Sequence, residues 1–155
     1  MNSSAENRIN AFARIEIPTA TPQQKGLMVV GGRPRYYTKG KVKSAMSLYW
    51  AVILSGRPRG FKPFEGPVRV MVTFCFAAPK SWSKKARAAI TPKTTRPDLD
   101  NMAKTVLDAA TRAHVWRDDA QVTRLDLRKA YGPEEFVRIV IEEDAEAQNM
   151  EECQQ

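Results

Sequence analysis

Apolar and polar side chains alternate along residues 67–77, PVRVMVTFCFA, which puts Val68, Val70, Val72, Phe74 and Phe76 on one face. A period of two is that of a strand with one buried face. The same alternation predicts strands over 12–17, closed by Pro18, over 121–130 and over 136–142. The last two form a predicted hairpin around Gly132-Pro133. Between Val42 and Leu54 the period becomes helical, with Val42, Ala45, Met46, Tyr49, Trp50, Ile53 and Leu54 on one face and Gly56 and Pro58 ending the run. A second helix is predicted over 99–114, turning Leu99, Met102, Ala103, Val106, Leu107 and Ala110 inward. A short basic helical turn over 79–90 is entered at Ser81 or Ser83. Residues 19–26 and 57–66 read as loops, and GGRPRYYTKGK at 31–41 as a turn followed by short extended structure. The elements add up to one α+β domain over 1–141, a mixed sheet with two main helices and a C-terminal β-hairpin. An acidic tail, 142–155, is expected to be disordered. Trp50, Trp82 and Trp116 are expected in the core.

With 155 residues the chain has the length of one domain and can build a core without metal or disulfide staples. No apolar run approaches the ~18 residues of a membrane span, and the first ten residues lack the apolar centre of a signal peptide. Cys75 and Cys153 lie far apart with no C-x-x-C, which argues against a disulfide framework or zinc finger and for a reduced cytoplasmic setting. The single histidine, His114, excludes chemistry that needs paired imidazoles. Carboxylates, lysine or hydroxyls must do that work.

The net charge of +8 is unevenly spread. Residues 25–96 hold sixteen Lys and Arg against one acid, Glu65, whereas 142–155 hold six acids and no base. A half this basic suits phosphate, because each neutralised phosphate releases a condensed counterion. The candidate DNA-binding residues are Arg33, Arg35, Lys39, Lys41, Lys84, Lys85, Arg87, Lys93 and Arg96. The plain alternative is a solvated surface on a merely basic protein. Tyr36-Tyr37, set among these cations, can stack on exposed bases or pack under the following helix. The acidic tail either keeps the chain soluble or covers the basic face as a phosphate mimic.

The acids gather in residues 96–121, RPDLDNMAKTVLDAATRAHVWRDDAQ. Asp100, Lys104 and Asp108 recur at i, i+4 and i+8, on a different helix face from the apolar one. Asp98 sits at the helix entrance, and Asp118-Asp119 in a turn before the next strand. Each has an ordinary account: Asp98 as a cap, Asp100 or Asp108 as a partner for Lys104, Asp118-Asp119 as a polar turn. Together they form a negative patch on a positive chain, and adjacent carboxylates repel unless a cation compensates. Hard oxygen donors suit Mg²⁺ or Mn²⁺ completed by substrate phosphate, the arrangement of a metal-dependent nuclease.

The run Asp98-Leu99-Asp100-Asn101, Lys104, Asp108, Trp116 and Asp118-Asp119-Ala120-Gln121-Val122 resembles the RusA family of Holliday junction resolvases, the match being tightest over about 25 residues. The resemblance implies an Mg²⁺-dependent endonuclease, with Mn²⁺ substituting, that acts as a homodimer on four-way branched DNA without an organic cofactor or a membrane. It implies that Asp98, Asp100 and Asp119 are catalytic metal-binding carboxylates and that Lys104 is the catalytic lysine countering phosphoryl charge. Asp118 would be a lesser metal ligand, with Asn101 and Asp108 as supports. His114 stands where the family often has glycine, and the loop 92–97 carries only Lys93 and Arg96 where a denser arginine run is expected. A broader flap or fork nuclease, and a branched-DNA-binding protein without activity, are the alternatives carried forward.

Overall fold

The computed structural model describes residues 7–19, 25–38 and 40–147. Its strands are β1 (Ile9–Ala13), β2 (Lys25–Val30), β3 (Arg33–Thr38), β4 (Val68–Ala77), β5 (Thr91–Pro92), β6 (Val122–Gly132) and β7 (Phe136–Glu143). The helices are α1 (Gly40–Ser55), α2 (Lys84–Ala88) and α3 (Leu99–Arg112). Five strands form a mixed sheet in the order β1-β7-β4-β6-β5, and β2 and β3 form a separate two-stranded sheet. This is the expected α+β class with two main helices.

β4 is central because its sequence demands it. Val68, Val70, Val72 and Phe74 are fully buried against α1 and α3, alongside Val137, Ile139 and Ile141 of β7. α3 seals the same core with Met102, Ala103, Val106 and Ala110 of the face its periodicity predicted, joined by Ala109, while Leu99 and Leu107 of that face are only partly buried. The close approach of α1 to the sheet edge needs Gly56, where a Cβ would lie 2.6 Å from the backbone of Ala11. A parallel partner for β4 can be reached only by a crossover. The stretch carrying α2, β5 and α3 supplies it, delivering β6 parallel to β4.

The expected C-terminal hairpin is therefore corrected. β6 and β7 are not neighbours; β4 lies between them, parallel to β6 and antiparallel to β7. Residues 133–135 carry the chain past the end of β4, where the Ala78 amide donates to the Gly132 carbonyl at 2.9 Å. Two strand spacings of about 4.8 Å are within reach of three extended residues.

Other boundaries also move. β1 ends at Ala13 rather than Ile17, and its register with β7 pairs Ile9 with Ile141. Residues 25 and 26, expected in a loop, and 27–30, for which no element was expected, form β2, which pairs with β3 around Gly31-Gly32. Both glycines have positive φ, +58° and +72°, as a two-residue hairpin turn requires. The strand continues past the expected tail boundary: Glu142 and Glu143 belong to β7, and Asp144 is buried, accepting from the Thr123 hydroxyl at 2.8 Å. Trp116 is buried as expected, but Trp50 is 37% exposed on the outer side of α1. No helix among the described residues is long and apolar enough to cross a membrane.

Candidate active site

α3 sets out the acidic residues by its own geometry. Asp98 is its N-cap, in extended conformation, and its carboxylate makes no capping hydrogen bond. Asp100 follows in the first turn, where the helix dipole favours negative charge. One turn on, Lys104 is exposed, and its Nζ lies 3.9 Å from Oδ1 of the half-buried Asp108. Burial is the main force raising the Asp108 carboxyl above its usual range; the Lys104 charge lowers it and the Asp119 charge raises it. Asp119, from the turn beyond the helix, thus stands within electrostatic reach of Asp108.

That turn is held by the motif's own side chains. Asp118 caps a 3₁₀ turn, Asp119–Gln121, by accepting from the Ala120 amide at 2.8 Å. The Gln121 Oε1 accepts from the amides of Arg117 (2.9 Å) and Asp118 (3.3 Å). Its Nε2 donates to the carbonyls of Phe64 (2.9 Å) and Gly66 (3.0 Å). Trp116 is buried below, its indole donating to the Thr111 hydroxyl at 2.8 Å. Asp118 is thus partly spent on structure, whereas Asp119 is exposed and in no ion pair among the described residues. His114, φ +52°, is an exposed left-handed residue just past α3.

The loop entering α3 is fastened by two lysines. Lys129, on the inward side of β6, donates from Nζ to the carbonyls of Thr95 (2.8 Å) and Pro97 (2.6 Å). Sequence reasoning passed over it, although a lysine in register with Leu125, Leu127 and Tyr131 signals a polar partner inside. Lys93, expected on DNA, is turned inward. It donates to the Thr95 hydroxyl (2.5 Å) and the Tyr131 hydroxyl (2.9 Å) and lies over the Tyr131 and Phe76 rings. The Lys93 hydrogen bond leads in holding the Tyr131 phenol below its ordinary value.

The remaining basic residues are distributed over several elements. Arg33 and Arg35 are exposed on β3, Lys41 at the start of α1, Lys84, Lys85 and Arg87 on α2, and Arg96 in the loop before Asp98. Tyr36 and Tyr37 are exposed beside them rather than packed under α1. Lys39 lies outside the described residues.

The donors available to a metal are carboxylate oxygens, the hard type that Mg²⁺ and Mn²⁺ take. Among the described residues no three His, Cys, Asp or Glu side chains converge closely enough to hold an ion by themselves. The set fits an ion that keeps several waters and is bound through one or two carboxylates and substrate phosphate.

Exposed carboxylates and a lysine on a strongly basic α+β molecule are the groups that a metal-dependent nuclease uses. A family model described as endodeoxyribonuclease RusA matches residues 17–142. The chain belongs to the RusA family of endodeoxyribonucleases, enzymes that generally depend on a divalent metal. It is 30% identical over 132 residues to the crossover junction endodeoxyribonuclease rusA of Lactococcus phage r1t, a match covering 85% of this chain and 95% of that protein. It is 33% identical over 131 residues to the uncharacterized protein YqaN of Bacillus subtilis (strain 168), covering 76% and 92%.

Proposed function

We propose that this enzyme resolves four-way DNA junctions in recombination and repair, as a cytoplasmic homodimer that makes paired, symmetrical cuts with Mg²⁺ or, in its place, Mn²⁺. The observation carrying this reading is the line of exposed groups along α3, with Asp98 and Asp100 at its N-terminus and Lys104 a turn on, and with Asp119 in the turn beyond the helix, within electrostatic reach of Asp108. Asp98, Asp100 and Asp119 are the candidates from which the one or two direct carboxylates would come, water and substrate phosphate completing the shell, with Asp118 a weaker contributor because its carboxylate already caps a turn. When bound, such an ion supplies a nucleophilic hydroxide and a counter-charge for the scissile phosphate. Lys104 is free to meet phosphoryl charge, since its pairing with Asp108 is long and exposed. The helix N-terminus orients the phosphate oxygens toward the Asp98 end. Two protomers match the two strands of like polarity that resolution must cut.

One observation favours a broader substrate range. Lys93 is committed to Tyr131, which leaves Arg96 as the exposed cation of the loop before Asp98. A sparsely charged loop weakens selection for the junction over flaps and forks.

Labelled four-way junction and linear duplex, incubated with wild type and Asp100→Asn with and without Mg²⁺, test the reading. Paired nicks in the junction alone are expected, lost without Mg²⁺ and reduced at least about 100-fold in the variant, the scale on which single groups at a reacting centre act. Cleavage of both substrates would move the assignment to the broader nuclease. Binding without cleavage in either metal would overturn the catalytic role.

A further inference from the structure

β6 has a bare outer edge. Its neighbour β5 pairs only with Tyr131 and Ala130, and the Lys93 amide adds one hydrogen bond to the Lys129 carbonyl. From Val122 to Arg128 the outer backbone has no strand partner among the described residues. Thr123 through Asp126 are exposed there, and Leu125, a large apolar side chain, is 41% exposed. An edge of this length is a template for another strand unless charge blocks it. The charges flanking Leu125 are of opposite sign, Arg124 and Asp126, so they block a random strand and complement a reversed copy of themselves.

We propose that β6 pairs antiparallel with β6 of a second copy of this chain, about a two-fold axis at Leu125. The two five-stranded sheets then join edge to edge. An axis normal to the sheet keeps every side chain on its own face, so it must pass through a residue rather than between two. At Leu125 it sets Arg124 opposite Asp126 of the partner copy twice over, and Leu125 opposite its equivalent, covering the apolar group the single chain leaves in water. An axis at Arg124 or at Asp126 would set like charges face to face. An axis at Leu127 would match Asp126 with Arg128 but lay the partner strand onto Lys129, whose carbonyl Lys93 already occupies. The existing contacts leave room. Arg69 uses only Oδ2 of Asp126, and Glu146 takes one terminal nitrogen of Arg124. The inference rests on the homodimer of the proposed function and names the surface that forms it.

Sedimentation equilibrium on the full chain tests it. Arg124→Asp and Asp126→Arg should each weaken the dimer at least about tenfold, because like charges then face each other. The double variant R124D/D126R should return to within about threefold of wild type, since the cross-strand pairing is restored with its signs exchanged. In a Cys153→Ser background, Leu125→Cys should oxidise to a symmetric disulfide dimer, cross-strand Cβ atoms being close enough. Val29→Cys on the exposed β2–β3 hairpin should not. A wild type that stays monomeric across the micromolar range overturns the proposal, as does a charge swap without rescue. Cross-linking through Val29 in place of Leu125 would assign the dimer to the hairpin instead and also overturns it. Junction assays on the same samples separate the two claims. Paired nicks without charge-swap rescue reject this interface alone, whereas rescue without junction cleavage rejects the functional reading alone.

Discussion

Gln121 joins two segments with one amide: it accepts from the backbone amides of Arg117 and Asp118, at the start of its own turn, and donates to two carbonyls of the loop before β4. Gln121→Ala should cost about 1–3 kcal/mol, the scale of stranding partly buried polar groups. Cleavage should fall further than junction affinity, because Asp119 loses its mounting while the basic surface is untouched. Thermal melts and single-turnover rates check the two parts. Asp108 has the opposite sign. Burial raises its carboxyl above the unfolded value, with Asp119 adding and Lys104 opposing. The folded state therefore binds the proton more tightly, so the contribution of Asp108 to stability is full below the ordinary aspartate range and is lost as pH rises through its raised value. Asp108→Asn should melt above wild type at neutral pH, and the gap should close on acidification. A constant gap across the titration would show that Asp108 carries no pH-linked cost.

At the level of elements, α1, α3, β4 and β7 were legible within a few residues, because each keeps one strict period over several turns or pleats. Alternation identifies a strand and its buried face but not its neighbour, which is why β6 and β7 read as a hairpin although β4 separates them. β2 escaped notice because Leu27, Met28, Val29 and Val30 do not alternate, and the hairpin they form leaves them exposed. The acidic positions could be read because helix spacing fixes Asp100, Lys104 and Asp108 and the cap fixes Asp98. The fastening of the loop before Asp98 could not, since Lys129 reaches it from a strand over thirty residues later. Lys129→Met should cost about 1.5–3 kcal/mol, as for hydrogen bonds from a charged donor. It should also lower cleavage more than tenfold with the fold intact by circular dichroism, because the entry to α3 is then free to shift Asp98. Equal loss of binding and cleavage would place Lys129 on the DNA instead.

Over the whole molecule, the charge asymmetry of the chain becomes a division of labour among its lysines and arginines. Those free on the surface can exchange counterions for phosphates; those folded inward cannot. Arg33 and Arg35 stand exposed on the β2–β3 hairpin, whereas Lys93 is packed over Tyr131 and Phe76 although it is equally basic in sequence. Salt dependence separates the two groups. Junction affinity measured from low to moderate salt gives a line in log–log form whose slope counts the phosphates neutralised, about 0.9 for each. Arg33→Gln and Arg35→Gln should each flatten that slope by roughly 0.9 if they contact one phosphate apiece, with melting unchanged. Lys93→Met should leave the slope where it is and lower the melting temperature, since its ammonium is engaged by the Thr95 and Tyr131 hydroxyls. If Lys93→Met flattened the slope as the arginine variants do, the inward packing of Lys93 would not survive DNA binding, and that loop would join the basic surface when the substrate arrives.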